Sequence, residues 1–176
     1  GSVNPVSLAQ LRHGLTHGYV PCQLTPEMLF PAPDASTDGS FERQVGHACD
    51  VLARGEHLLV HMTRTEAETH AYIRVAESCG TSRHDVPQRL LTSVAQFVRD
   101  VVGRTRVRTL MIFGGETAYT TLRALGCQRA RVLKEISVGA NVLETEVLNR
   151  RVQLITKSGG FGTPAFLEDF LTCLLE

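Results

Sequence analysis

Two glycine-containing stretches have the residue types and spacing to bind an anion. The first is Thr109-Leu-Met-Ile-Phe-Gly-Gly-Glu-Thr-Ala118, an apolar run that ends in two glycines and a helix start. Glycine lets a ligand approach the backbone closely, and the first amides of a helix attract negative charge. The amides of Gly114, Gly115 and Thr117, with the Thr117 hydroxyl, are therefore candidates to hold phosphate oxygens. No Gly-Lys-Ser/Thr or GxGxxG pattern is present, so a tight turn without a ligand stays an open alternative.

The second stretch, Lys157-Ser-Gly-Gly-Phe-Gly162, follows a predicted strand at 152–156. Thr163 and Pro164 come next as an N-cap and first-turn pair that predicts a final helix. Lys157 supplies a flexible positive charge that can stabilise a transferring phosphoryl group. The alternative is an ordinary surface lysine at the end of a strand. The residues predicted to shape this loop around a ligand are Ser158, Gly159, Gly160 and Gly162.

Both stretches need strands to position them. Residues 110–113 are continuously apolar, which is typical of a strand buried on both faces of a parallel sheet. Residues 116–125 have helical spacing of apolar side chains. If the two strands are neighbours, their glycine loops form one crevice of the kind in which open α/β sheets bind nucleotides. The alternation of strands and helices predicts an α/β fold, a three-layer sandwich with a mostly parallel or mixed sheet and glycine-rich loops at strand C-terminal ends.

The rest of the chain is consistent with such a fold. Residues 31–40 are polar and contain Pro and Gly, which predicts a mobile loop rather than a domain boundary. Ser7 is the predicted N-cap of the first helix. The other predicted strands are 19–24, 57–62 and 131–138, and the other predicted helices are 26–30, 41–54, 66–78 and 86–102.

Three motifs together resemble a known family. Gly114-Gly-Glu-Thr-Ala118, Lys157-Ser-Gly-Gly-Phe-Gly162 and the opening Gly1-Ser-Val-Asn-Pro-Val-Ser-Leu-Ala-Gln10 are similar to the C-terminal nucleotide-binding domain of the four-carbon acid sugar kinases. Members of this family are also labelled Hrp-dependent type III effectors. The resemblance implies a kinase that uses ATP and magnesium to phosphorylate threonate, erythronate or their oxidised relatives. The alternative is a non-catalytic nucleotide-binding module, regulatory or interacting, on the same scaffold.

The resemblance also implies a domain organisation. Residues 1–176 are expected to form a single nucleotide-binding domain, the C-terminal half of an enzyme whose N-terminal domain binds the acid. In the family, Ser2 lies at the nucleotide and follows a strand, which here would precede residue 1; a cloning remnant would give the same Gly1 and Ser2. Gly139 matches the glycine of a Pro-Gly-Val-Pro turn near the nucleotide. This chain has Val138-Gly-Ala-Asn141 instead, without either proline.

No residue is a convincing catalytic base. Transfer of a phosphoryl group to a hydroxyl usually needs an aspartate near that hydroxyl. We therefore expect the base to come from the N-terminal domain, and the isolated chain to bind ATP without phosphorylating anything. Glu116 has two readings: a carboxylate that complements the helix dipole, or a contact to magnesium. The aspartates lie outside both glycine loops; they are Asp34, Asp38, Asp50, Asp85, Asp100 and Asp169.

Composition excludes several classes of partner. The 176 residues carry no formal net charge and are 43% hydrophobic, which argues against binding to nucleic acid or to a membrane surface. Five scattered cysteines without a CxxC pair predict a reduced, cytoplasmic protein. A homodimer is left open. His13 and His17 have the helical spacing of a zinc pair, but the sequence suggests no third ligand.

Overall fold

The computed structural model describes residues 4–31 and 39–174, except for the side chains of Glu66 and of residues 172–174. Ser2 and most of the predicted loop at 31–40 lie outside this part of the chain. Within it the helices are α1 (Pro5–Gly14), α2 (Pro26–Leu29), α3 (Ser40–Ala53), α4 (Glu66–Ser78), α5 (Val86–Arg104), α6 (Gly115–Ala124) and α7 (Phe166–Leu174). The strands are β1 (Tyr19–Gln23), β2 (His57–His61), β3 (Thr109–Phe113), β4 (Ala130–Ser137), β5 (Ala140–Val147) and β6 (Arg150–Lys157).

The strands form two sheets. β1 and β2 pair in parallel as a two-stranded sheet. The second sheet has the order β3-β6-β5-β4, in which β3 and β6 are parallel and β6, β5 and β4 are successively antiparallel. The predicted α/β fold with a mixed sheet is thus confirmed. β5 is an addition, because the sequence indicated residues 141–148 only as a connection to the next strand.

A two-residue turn joins β5 to β6 and explains why this hairpin was missed. Leu148 and Asn149 both have positive φ, 47° and 60°. Such turns match the twist of paired antiparallel strands but usually contain glycine. Asn149 tolerates this conformation well. Leu148 is held in it by packing against the cluster formed by Val102, Leu125 and neighbouring residues.

Helices cover both faces of the four-stranded sheet, as the predicted three-layer sandwich requires. Adjacent residues of a strand point to opposite faces. On β6, Leu154 packs with Ala118 of α6, whereas Ile155 packs with Phe170 of α7. A larger apolar cluster, which includes the fully buried Phe97, joins the two-stranded sheet to α2, α3, α4 and α5.

A cavity separates the two sheets. Its volume is about 350 Å³, and it is lined by every residue of β2 and β3 together with apolar side chains of α1, α5 and α7. Among the described strands, β2 pairs only with β1 and β3 only with β6, so the other edge of each lies toward the cavity. The sequence did not predict this division.

Two helices begin elsewhere than predicted. The N-cap of α1 is Asn4, whose side chain accepts a hydrogen bond from the amide of Val6 at 2.9 Å, and not Ser7. Asn4 followed by Pro5 is the better start signal. α7 begins at Phe166, because Thr163 instead accepts a backbone hydrogen bond from Phe166 at 3.2 Å in a preceding turn.

None of the described helices is both long and apolar enough to cross a membrane. The cysteines whose side chains are described carry free thiols; they are Cys22, Cys49, Cys79 and Cys127.

Candidate functional site

The two glycine loops lie side by side at one edge of the four-stranded sheet. β3 and β6 run parallel, and their last paired residues are Phe113 and Lys157. The amide of Gly114 donates to the carbonyl of Lys157 at 2.9 Å, so the loops remain joined where they leave the strands. This amide was predicted to hold a phosphate oxygen, and its bond to Lys157 shows that this part of the prediction is wrong. We use the name first loop for residues 114–117, which are the N-cap and the first residues of α6. The second loop is residues 158–162. The predicted neighbourhood of the two strands is confirmed.

The first loop leaves the N-terminus of α6 without a side-chain cap. Gly114 occupies the N-cap position with φ 92° and ψ 134°, a conformation that a residue with a Cβ atom rarely adopts. Gly115 starts the helix, and a Cβ atom built there would meet nothing within 4 Å. The space beside the Gly115 backbone, where a side chain would be, is therefore open. Amides at such an end attract anions through their unpaired N–H groups and the helix dipole.

Glu116 and Thr117 follow in the first turn of α6. Glu116 is exposed and lies where a carboxylate complements the helix dipole. The hydroxyl of Thr117 lies 3.5 Å from the position that a Cβ atom on Gly114 would take, so it borders the loop backbone. A carboxylate and a hydroxyl are oxygen ligands of the kind that magnesium accepts beside phosphate oxygens and water.

The second loop packs against the turn between β4 and β5. The amide of Ser158 donates to the carbonyl of Gly139 at 2.9 Å. Gly139 has φ 75°, and a Cβ atom on it would lie 3.1 Å from the ring of Phe161. Gly139 is thus needed for both its conformation and its lack of a side chain. Phe161 leaves 46% of its surface exposed beside this turn, a feature that sequence reasoning missed.

Lys157 is neither the flexible cation nor the surface lysine that the sequence suggested. Only 2% of its surface is exposed, because the side chain turns under its own loop. The ammonium group donates to the carbonyl of Ser158 at 2.8 Å and lies 4.6 Å and 5.4 Å from the ring centres of Phe113 and Phe166. Burial lowers the pKa of Lys157.

Within the described part of the chain, no carboxylate neutralises the charge of Lys157. None of the ion pairs among the described residues includes it. Aromatic faces and one carbonyl compensate part of the lost hydration, but a buried charge normally needs an opposite charge. An anion held by the adjacent glycine loops would supply one.

A match to one family covers nearly the whole chain. Residues 1–167 match the model of the family described as "Nucleotide-binding C-terminal domain". The chain belongs to this family. The two glycine loops therefore belong to a nucleotide-binding domain, as the resemblance found in the sequence implies.

Three curated proteins share the domain. The chain is 24% identical to the 3-oxo-isoapionate kinase of Paraburkholderia graminis over 173 residues, which is 94% of this chain and 36% of that protein. It is 25% identical to the D-threonate kinase of Salmonella typhimurium, over 75% of this chain and 31% of that protein. The 3-oxo-tetronate kinase of Cupriavidus necator is 28% identical, over 97% and 36% respectively. The chain thus spans about a third of the length of these relatives.

Solved structures show the same fold. A Haemophilus influenzae protein superimposes with a TM-score of 0.74 at 19% identity, over 96% of this chain and 37% of that one. A Bordetella bronchiseptica protein, solved as a domain-swapped dimer with bound citrate, gives 0.61 at 18% identity, over 95% and 37%. At these identities the likeness concerns the fold alone.

In this member of the family, α1 holds the second loop from behind. The hydroxyl of Ser7 donates to the carbonyl of Gly159 at 2.7 Å. The fully buried side chain of Gln10 donates to the carbonyls of Phe161 and Thr163 at 3.0 and 2.9 Å. The carbonyl and the following amide of a trans peptide point in opposite directions. The amides of Gly160 and Gly162 therefore point away from α1.

Ser7 and Gln10 belong to the opening motif, but their role was not predicted. They act on residues about 150 positions later, and only the folded chain brings them together.

The glycine loops contain no aspartate that could act as the base. The described aspartates, which are Asp50, Asp85, Asp100 and Asp169, lie in α3, just before α5, in α5 and in α7. Asp34 and Asp38 lie outside the described residues. The expectation that the base comes from elsewhere stays a prediction.

Proposed function

We propose that this chain is the ATP-holding domain of a kinase that phosphorylates four-carbon sugar acids such as threonate, erythronate or their oxidised relatives. The observation that carries the proposal is a buried lysine, without an ion pair among the described residues, beside two glycine loops on neighbouring parallel strands. The chain belongs to a nucleotide-binding family, and the similar relatives are sugar-acid kinases. The loop amides and Lys157 suit the negative charge of a triphosphate.

The roles within the site divide between the loops. The amides of Gly115, Glu116 and Thr117 bind phosphate oxygens at the start of α6, and those of Gly160 and Gly162 face the same crevice. Lys157 neutralises charge from beneath the second loop. Glu116 reaches magnesium directly or through water, which keeps its carboxylate from repelling the phosphates. Magnesium supplies charge neutralisation of the transferring phosphoryl group.

The acid and the catalytic base belong to the part of the protein outside this domain. The relatives are about three times as long as the matched segment. We propose that the additional length includes an acid-binding domain that closes on the glycine loops. The isolated chain should then bind ATP without transferring phosphate.

The cavity between the two sheets is a place where part of the additional sequence could pack. We propose that sequence upstream of residue 1 supplies a strand between β2 and β3, whose free edges face the cavity. The position of Asn4 supports an entry of the chain from this side. A Cβ atom on Gly160, in the loop that follows β6, would lie 3.5 Å from the side-chain Nδ2 atom of Asn4. The strand would lead into the opening motif.

Hydrogen exchange tests the inserted strand. The natural protein with its upstream sequence should protect the amides of Leu58, Val60, Met111 and Phe113 more strongly than this chain does, since these amides point away from β1 and β6 and a paired edge exchanges more slowly. Equal protection in both proteins, with a folded sheet in each, would contradict the insertion.

A direct assay tests the kinase. The full-length protein, ATP and magnesium should form ADP and a phosphorylated acid when threonate, erythronate or an oxidised relative is added, whereas this chain should not. Failure of the full-length protein with all these acids, despite ATP binding, would favour the second candidate function. That candidate is a non-catalytic nucleotide-binding module, which the loss of both prolines around Gly139 supports.

A further inference from the structure

Three side chains with metal-binding atoms meet where α1 ends against α7. The Nε2 atom of His13 lies 2.7 Å from a carboxylate oxygen of Glu168. The rings of His13 and His17 are parallel within 6°, with centres 3.8 Å apart. One ligand atom from each of the three residues lies within 4.8 Å of the other two. Glu168 is the third ligand that the sequence did not reveal, because it lies 155 positions from His13.

The backbone explains why the two segments approach so closely. A Cβ atom on Gly14 would lie only 2.8 Å from the Leu167 side chain, so α1 packs here with no side chain between it and α7. The hydroxyl of Tyr19 donates to the carbonyl of Leu167 at 3.0 Å and fixes the start of α7. His13 and Glu168 are the sequence neighbours of these two contacting residues. Their meeting is therefore imposed by packed elements rather than by surface side chains alone.

One ring nitrogen of His17 is held by the backbone. Its Nδ1 atom lies 2.8 Å from the carbonyl of His13. Because a carbonyl only accepts, this contact requires the proton of the neutral ring on Nδ1, which leaves the Nε2 lone pair for a metal ion. A backbone carbonyl that fixes the second nitrogen in this way is the usual support of a metal-binding histidine.

We propose that His13, His17 and Glu168 bind one divalent transition-metal ion of the zinc type, with water at the remaining position. Two imidazoles and a carboxylate are a ligand set that zinc accepts with an open coordination site. The three side chains are partly open to solvent, with 25% of His13 and 50% of Glu168 exposed, so an ion can enter. On binding, the neutral His13 ring takes the tautomer whose single proton is on Nδ1, so that the ion replaces the Nε2 hydrogen beside Glu168.

The ion would connect α1 to α7. α1 also carries Ser7 and Gln10, which hold the second loop, and α7 follows that loop in the chain. The site is thus structural in character. It does not depend on the proposed kinase activity.

Titration calorimetry with zinc chloride tests the site on this chain. We expect one ion per chain, with affinity falling at least tenfold in each of His13→Ala, His17→Ala and Glu168→Gln. His84→Ala is the matched control, because His84 is an exposed histidine beside a carboxylate, 3.3 Å from Asp85, without a second histidine. It should bind as the original chain does. Unchanged binding in the three variants, or no binding by a chain that circular dichroism shows to be folded, would overturn the proposal.

Cobalt(II) substitution identifies the ligand atoms. Nitrogen and oxygen ligation gives visible bands without the near-ultraviolet charge transfer of thiolate ligation. A thiolate band that persists in the His13→Ala variant would place the metal at cysteines and overturn the proposal. Loss of the visible bands in that variant would support it.

Discussion

Lys157 shows how a residue can be recognised from sequence while its environment is not. The strand, the glycines and the lysine were all predictable from local pattern. Its burial was not, because the rings of Phe113 and Phe166 reach it from separate elements. The positive charge is consequently part of the domain interior, where its electrostatic effect on a bound anion is stronger than at the surface.

Replacing Lys157 by methionine separates charge from packing. Lys157→Met keeps an apolar side chain of similar length between the two rings, so we expect little loss of stability, about 1 kcal/mol or less. Affinity for ATP should fall at least tenfold, because charge-assisted hydrogen bonds contribute about 1.5–3 kcal/mol. Urea unfolding and titration calorimetry measure the two effects. Unchanged affinity in the variant would show that Lys157 does not face the nucleotide.

The lowered pKa of Lys157 predicts a pH dependence of stability. Above the lowered pKa of the folded state and up to the ordinary value of 10.5, the unfolded chain binds more protons than the folded one. Stability relative to Lys157→Met should therefore rise as the pH increases through this range. Comparison with the variant removes contributions from tyrosines that titrate there. A stability difference that stays constant with pH would contradict the burial of the charged amine.

Gly162 should be harder to replace than other glycines of positive φ. Its φ is 83°, and an added Cβ atom would lie 3.0 Å from the Gln10 amide nitrogen and 3.3 Å from the Phe166 ring. Gly80 has φ 77° with open space around it. We expect Gly80→Ala to lose about 1 kcal/mol through backbone strain alone and Gly162→Ala to lose about 2–3 kcal/mol. Equal losses of unfolding free energy in the two variants, measured with urea, would show that the second loop adapts to the added methyl group without further destabilisation.

At the scale of elements, local signals predicted boundaries well and partners poorly. α4 spans Glu66–Ser78, as predicted for a polar helix in this segment. β5 was missed because the turn at Leu148 and Asn149 lacks glycine. α7 starts later than predicted, and the carbonyl of Thr163 before it also accepts a hydrogen bond from Gln10 of a distant helix. Propensity acts over a few residues, whereas such contacts depend on the assembled fold.

The contact between α1 and the second loop has a measurable contribution. Ser7→Ala removes the hydrogen bond to Gly159, and we expect a loss of about 1 kcal/mol with faster amide exchange at residues 159–161. Ser78→Ala is a control, because its hydroxyl bonds only to Val75 within an exposed turn. An effect no larger for Ser7→Ala than for Ser78→Ala would show that α1 does not hold the loop.

At the scale of the whole molecule, the α/β class and the adjacency of the glycine loops were predictable, because they follow from strand order and loop position. The gap between β2 and β3 was not, since strand pairing across a chain is a non-local property. A homodimer stays a prediction that light scattering on the purified chain would test. The nucleotide site is the central claim, because the sugar-acid kinase activity requires it.

Calorimetric titration of this chain with ATP and magnesium tests that claim most directly, with Gly115→Val and Gly46→Val compared to the original. Both glycines lie in helices where an added Cβ atom meets nothing within 4 Å, so both variants should fold, but only Gly115 lies at the loop. We predict saturable binding that Gly115→Val abolishes and Gly46→Val preserves. Binding that survives Gly115→Val unchanged would place the nucleotide elsewhere and contradict the account.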